Sequence, residues 1–382
     1  MATNLNITEL DFDQIKINLK NFLKSQSQFK DYDFEGSGLS VLMDVLAYNT
    51  HYNAMLAHFA LNESFLDSAQ IRGNVVSRAG LLGYIPRSIL APRATINLVI
   101  DASQATNTNL PTSLVLERGT KFTSSVDNVT YTYSTLSART AIINNGKFTF
   151  NNVEIAQGVI RSLSYTVDND IENQKFQISD TDVDTSSLRV RVQKNNQSAS
   201  FDSYGQFTTL QEVGATSQVY HLQENTSGFY QIFFGDGIIG KKPVNNEVVT
   251  LDYLITEGPA SNGASDFSLI SGFDIADLTE YETIVTNVTV SSGGTSPETT
   301  ESIRFNAPIT FQAQDRAVTS QDYGAIIQRN FANIESISTW GGEDQIVPDF
   351  GKAYISIKPL IGTSLTEDEK TAVKNILTQK NI

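Results

Sequence analysis

The chain has 382 residues, 40% hydrophobic and 18% charged, with 27 Lys+Arg against 42 Asp+Glu, a net charge of −15 and no cysteine. Such a composition folds and is long enough for about two or three domains, while its acidity repels phosphate backbones and anionic membranes, excluding nucleic acid and membrane as partners. The lack of cysteine removes disulfides, thiolate metal sites and thiol catalysis and fits folding in a reducing cytoplasm, and residues 1–14 carry neither the basic nor the apolar region of a signal peptide.

From Thr8 onward, Phe12, Ile15, Leu19, Phe22 and Leu23 recur at helical spacing with Lys16, Lys20 and Lys24 on another side, which predicts an amphipathic helix. Residues 39–66 then run without Gly or Pro, about 40 Å if wholly helical. Asp44, Asn49, His51, Asn53 and His58 interrupt this stretch, so it is no membrane span. Its apolar residues Leu42, Val45, Leu46, Met55, Leu56 and Phe59, with Tyr48 and Tyr52, lie nearly all round, more than one short helix can cover. Leu42, Leu46, Tyr52, Met55 and Phe59 are accordingly candidate interface residues of a bundle built with other chains; a self-contained three-helix domain is the alternative. A third helix is predicted over 69–82, capped by Gly83 with Pro86 beyond. Residues 1–92 make up this helical, bundle-forming arm.

After Pro92 the pattern changes to short alternating runs at 94–100, 129–133, 147–150, 159–167 and 188–192, separated by Asn, Asp, Gly and Ser clusters. Asn144, Asn145 and Gly146 spell a hairpin turn. Residues 93–282 are therefore one or two β-rich domains, with an optional split near 168–172. In the remainder, 283–382, Ser296 as N-cap, Pro297 at the first position and Glu298 in the first turn predict a helix that stops before Pro308. Thr319 with Asp322 predicts a capping box, with Val318 and Tyr323 as a staple, opening a second helix at Ser320. Strands at 334–340 and 353–358 and a helix opened by Thr366 and Glu369 and running toward Gln379 complete helix, strand, strand, helix, most of a ferredoxin-like split βαβ unit. The fold class expected is α+β, with a mixed C-terminal unit that looks truncated or is completed by a partner. Tyr323, Ile327 and Trp340 are its candidate contact residues.

Residues 234–242, FGDGIIGKK, satisfy G-x-G-x-x-G and nearly satisfy a Walker A loop. Such loops need a following helix whose amides face the phosphate, and here Lys242 stands in place of the Mg²⁺-binding Ser or Thr and Pro243 leads into a strand at 247–256. The reading is a Gly-rich turn between strands 230–234 and 248–255. Asp180, Asp182 and Asp184 begin like a calcium loop, but Thr185 and Arg191 occupy the Gly and Glu positions. His51 and His58 have no third ligand of fixed spacing. With no catalytic motif in the chain, the expectation is no enzyme, no catalytic residue, no metal, no cofactor and no small-molecule substrate.

Two motif blocks carry a resemblance. Phe234, Gly235, Asp236, Gly237, Gly240 and Pro243, followed by Tyr253, Gly258 and Asn262, form one; Gly293, Gly294, Glu298, Arg304, Ala317, Val318, Thr319, Asp322 and Tyr323 form the other. In type and order they resemble the J-like baseplate family of contractile phage tails, and residues 33–88 are similar to the opening of its T-even-type wedge subunit. The resemblance implies a structural virion protein of the tail baseplate, assembled in the host cytoplasm and lying in the inner ring around the tail hub. It implies N-terminal helices bundled with a second copy and other wedge proteins, including the sheath-initiating wedge subunit of lysozyme-like fold. It also implies a C-terminal unit that pairs with its neighbour, and interfaces whose rearrangement on host contact triggers sheath contraction. The Thr/Asn/Tyr-rich strands leave an alternative, a β-rich tail adhesin or glycan-binding protein.

Overall fold

The computed structural model describes residues 11–29, 38–103, 110–198, 200–207, 213–270, 281–313, 317, 319–331, 334, 336–345, 347–359, 364–365 and 367–378. Helix α1 (Phe12–Ser25) lies along α2 (Gly38–Asn62), burying Ile15 against Met43 and Ala47, and Lys16 pairs with Asp44 at 2.5 Å. Helix α3 (Arg72–Leu81) follows, and Gly83 at φ +73° supplies the left-handed stop.

The β region is two sheets. The chain first lays down β1 (Arg93–Asp101), β2 (Ser113–Leu116), β3 (Lys121–Val126), β4 (Val129–Thr135), β5 (Arg139–Asn144) and β6 (Lys147–Gln157). It then builds β7 (Val159–Thr166), β8 (Phe176–Gln177), β9 (Val183–Gln193), β10 (Phe201–Gln206), β11 (Val219–Glu224), β12 (Tyr230–Phe234) and β13 (Val248–Ile255), and returns to the first sheet with β14 (Ser268–Leu269) and β15 (Glu282–Asn287). The eight-stranded sheet runs β14-β3-β4-β6-β1-β15, with β5 joining β6 and β2 joining β5; the seven-stranded sheet runs β7-β13-β9-β10-β11-β12-β8. The chain crosses from one to the other at Gly158, whose φ is +125° and whose added Cβ would lie 2.0 Å from the Ile255 carbonyl oxygen, so only glycine fits there. Residues 168–172 form a loop inside the second sheet, between β7 and β8. The hairpin turn at Asn145 and Gly146, both at positive φ, joins β5 to β6 as its sequence predicts.

Each sheet has its own core. Ala94, Ile96, Leu98 and Ile100 alternate inward from β1 onto Phe122, Tyr133, Phe148 and Ile155. In the second sheet Val190, Val192, Val249, Leu251 and Tyr253 pack with Phe176, Tyr204, Tyr220, Tyr230 and Ile232.

The C-terminal region holds α4 (Thr300–Ala313), α5 (Ser320–Asn330), β16 (Ser336–Gly341), β17 (Ala353–Lys358) and α6 (Glu367–Thr378), with β16 and β17 antiparallel. The fold class is α+β: helical arm, β-rich middle, mixed C-terminal unit. The capping box of α5 is present, with Asp322 N–H donating to Thr319 Oγ1 and Thr319 N–H to Asp322 Oδ2. Val318, Thr366 and Gln379 lie outside the described residues.

Helix α4 departs from its sequence signals. It starts at Thr300 rather than Pro297, capped by Thr299, whose Oγ1 accepts from Ser302 N–H at 3.3 Å, and it continues through Pro308 to Ala313. Ile303 and Ala307, both fully buried, dock on Val75, Val76 and Ala79 of α3. That packing outweighs the amide lost at Pro308 and the crowding of the Arg304 carbonyl. Glu298 is drawn away from the helix into a buried polar junction instead.

Candidate assembly interface and its anchoring junction

Among the described residues, helix α1 packs along one side of α2, and the other side is exposed. Val41, Val45, Tyr48, Tyr52, Met55 and Phe59 are all exposed, from 47% at Phe59 to 65% at Tyr48. Their spacing of four, three, four, three, four is that of a coiled-coil seam, in which such a stripe faces a partner helix. Leu42, Leu46 and Leu56 are exposed beside it. All five residues singled out from sequence on this helix, Leu42, Leu46, Tyr52, Met55 and Phe59, therefore present to solvent.

The C-terminal candidates divide. Tyr323 and Trp340 are half-buried, and Trp340 stacks on Tyr354 with ring centroids 6.1 Å apart. Ile327 is fully buried by its own chain, which corrects its assignment as a contact residue: it sits on the inward face of α5 and has no surface to offer.

One motif residue, Glu298, is the centre of a junction that fixes the arm to the β body. Tyr84 Oη donates to Glu298 Oε1 at 2.8 Å, Arg87 N–H to Oε2 at 3.0 Å, and Ser302 Oγ and Asn306 Nδ2 donate to Oε1 at 2.7 and 3.1 Å. Arg72, at the start of α3, donates to the Glu298 carbonyl and grips Glu224 of β11 with Nε and Nη2 at 2.8 and 2.9 Å. Glu224 is 2% exposed at its side chain, so this fork is the compensation that lets the carboxylate be buried. Burial opposes the charge on Arg72, but the hydrogen bond and charge of Glu224 more than offset it and raise the guanidinium. Tyr230, pushed up mainly by burial, closes the group by donating to the Pro86 carbonyl at 3.0 Å.

Asn262 and Gly294, one from each motif block, meet beside Pro92. An added Cβ at Gly294 would lie 2.3 Å from Pro92 Cγ, which explains glycine there, and Gly293 takes φ +84°. Gly258, at φ +66°, packs against Ile89. Arg304 reaches Glu301 and the Asp67 carbonyl, the latter at 3.2 Å, and Ala317 is buried. Gly258, Asn262, Gly293, Gly294 and Glu298 thus lie where the arm, the β region and the segment before α4 meet.

The Gly-rich turn satisfies itself. Asp236 Oδ1 accepts the amides of Ile238 and Ile239 at 2.8 and 3.0 Å, which hold the carboxyl below its usual range. An added Cβ at Gly235 would lie 2.1 Å from the Ile239 carbonyl oxygen, and no helix follows. Pro243 is buried, and Lys241 Nζ pairs with Asp202 at 2.6 Å. β12 and β13 are not neighbours in the sheet, so the turn is a crossover rather than a hairpin.

Asp180 accepts from Tyr253 Oη at 2.6 Å and pairs with Arg161, while Asp184 accepts the Ala91 and Ser186 amides and lies 3.9 Å from Arg93 Nη2, so each carboxylate has its own protein partners. Among the described residues no cluster of three His, Asp or Glu is placed to hold a metal, and no helix is long and apolar enough to cross a membrane. The sequence did not reveal Arg72, Tyr84 or Glu224 as junction residues, because their partners lie 226, 214 and 152 residues away.

Residues 11–84 match the family model described as baseplate wedge protein gp6-like, helical domain. Residues 159–263 match bacteriophage baseplate wedge protein gp6, third domain, and residues 319–382 match baseplate structural protein gp6, C-terminal domain I. The chain is 30% identical over 393 residues to baseplate wedge protein gp6 of Enterobacteria phage T4, a match that covers 97% of this chain and 57% of that protein. It therefore spans little more than half the length of that relative. With helical arm, second sheet and C-terminal unit each matched in the same order, the chain belongs to the gp6-like baseplate wedge family.

Proposed function

We propose that the chain is a non-enzymatic structural subunit of the baseplate wedge in a contractile phage tail, and that α2 is its assembly element. The observation that carries this is the uncovered 4-3-4-3-4 stripe from Val41 to Phe59: an apolar seam of that length gains most when another helix covers it. A second copy of the chain and a helix from another wedge protein are the partners of that bundle. The sheath-initiating wedge subunit and the tail hub are further neighbours of the inner ring. The C-terminal unit, through Tyr323 and Trp340, contacts the adjacent subunit. The arm is fixed to the β body by Arg72, Tyr84 and Glu298, so a change in the bundle is passed to the sheets as a rigid displacement, the means by which the wedge relays the trigger for contraction.

The adhesin alternative is less well supported. Tyr133, Tyr204, Tyr220, Tyr230 and Tyr253, which would have served as sugar-stacking residues, are buried in the two sheet cores.

The test is co-expression with the other wedge proteins of the same phage. Leu46→Glu, at a position 56% exposed, is expected to leave the isolated chain's unfolding free energy within about 0.5 kcal/mol of wild type yet to abolish co-purification. Undiminished co-purification of the Leu46→Glu protein would refute the assignment. Imaging of intact particles then locates the chain relative to the hub.

A further inference from the structure

Where the two sheets meet, two arginines pair with one carboxylate and a third stands beside them. Asp252 of β13 is buried; its Oδ2 lies 2.6 Å from Arg191 Nη2 and 3.8 Å from Arg118 Nη1, and its Oδ1 accepts from Ser162 Oγ. Arg189 stands directly across from Asp252 in the β9 register, with Arg191 two residues along on the same face. Arg118 comes from the other sheet, out of the turn before β3, and donates to the Ser187 carbonyl at 3.2 Å. Arg189 in return donates to the Leu136 carbonyl at 2.7 Å.

The group is under-neutralised. Two guanidinium groups, those of Arg118 and Arg191, share the single carboxylate of Asp252, and a third, that of Arg189, adds like charge beside Arg118, in a chain whose overall charge is −15. Arg118 has only 15% of its side chain exposed, and the Nε atoms of Arg118 and Arg191 are buried without a hydrogen-bond partner. Burial first, then the like charge of Arg189, pulls the Arg118 guanidinium below its ordinary value, and Arg191 adds to the effect. An uncompensated buried cation is costly, so an anion that supplies the missing charge and acceptors would be stabilising here. The side toward solvent is open, since Arg189 is exposed and Arg191 is 37% exposed, with its guanidinium 5.1 Å over the exposed ring of Phe201.

We propose that Arg118, Arg189 and Arg191 form a binding site for a small oxyanion, with Asp252 behind it as the fixed counter-charge that orients the guanidinium forks. Planar arginine donors suit phosphate, sulfate and carboxylate oxygens alike. Tying Arg118 of one sheet to Arg189 and Arg191 of the other, the bound anion cements the seam between them.

The experiment is thermal unfolding of the full chain in inorganic phosphate, sulfate or succinate, each matched to chloride at equal ionic strength. At about ten times the dissociation constant, the anion is expected to raise the melting temperature of wild type by on the order of 2 °C. Arg189→Gln, a change at an exposed position, should remove most of that rise. Asp252→Asn, which leaves the arginines without their carboxylate, should melt lower in chloride and gain more from the anion than wild type does. A response to phosphate and sulfate alone assigns a tetrahedral ligand, and an equal response to succinate assigns a carboxylate; either supports the site. An identical rise in wild type and Arg189→Gln, or no rise with any of the three anions, overturns it.

Discussion

Asn262 holds Gly294 with both ends of its amide: Nδ2 donates to the Gly294 carbonyl at 2.9 Å, and Oδ1 accepts the Gly294 N–H at 3.0 Å. This pair joins the turn after the second sheet to the segment leading into α4, 32 residues on. Asn262→Ala deletes both bonds in a partly buried place and is expected to lower the unfolding free energy by about 2–3 kcal/mol. Asn262→Asp keeps the shape and one acceptor but loses the donor, and should cost nearly as much. Urea denaturation reads both, and a loss below about 0.5 kcal/mol for Asn262→Ala would show that the clamp is incidental.

Arg72 and Glu224 are expected to behave as a coupled pair. Arg72→Met strands the Glu224 carboxylate, 2% exposed, and should cost about 2–4 kcal/mol. Adding Glu224→Gln should recover part of that loss, since the buried charge is then gone. Simple additivity of the two substitutions in a double-mutant cycle would mean that the contact carries no interaction energy.

Glu63 makes the start of α3 acid-sensitive. Its carboxylate accepts from Asn74 Nδ2 at 2.8 Å, Gln70 N–H at 2.9 Å and Ile71 N–H at 3.3 Å. Asn74 is the largest influence and the backbone amides add to it, so the carboxyl is held below its ordinary 4.5 even though burial pushes the other way. A depressed carboxylate contributes stability that is present above the unfolded value and is lost as pH falls through the folded one. Stability should therefore decline as pH drops below about 4.5, and Glu63→Gln should flatten that part of the profile. A series of urea midpoints between neutral and acidic pH decides the matter; parallel curves for the two proteins would rule Glu63 out.

Pro308 sits within α4 at a cost that the packing of Ile303 and Ala307 outweighs. Pro308→Ala restores the donor to the Arg304 carbonyl and removes the ring clash, so it is expected to stabilise the chain by about 1–3 kcal/mol. A melting temperature equal to or below that of wild type would show that the helix has already relaxed around the ring.

What the sequence by itself determined is whatever a few neighbouring residues decide. The capping box at Thr319 and Asp322, the Asn145–Gly146 hairpin turn, the Gly83 stop and the alternation of β1 are legible because each signal and its effect lie within one turn or one strand. That the turn at Gly235 leads into a strand rather than a helix was legible for the same reason, since Pro243 and the following strand are local. Short strands such as β2, β8 and β14 were not, because four or two residues carry too little pattern and form only where a partner strand is already in place. Only the tertiary structure decided that Glu298 leaves its helix for Tyr84 and Arg87, that α4 passes through Pro308, and that Ile327 faces inward while the Val41 to Phe59 stripe faces out. Each of those outcomes is set by a partner tens to hundreds of residues away, and burial against a distant surface is worth more than the local preference it overrides.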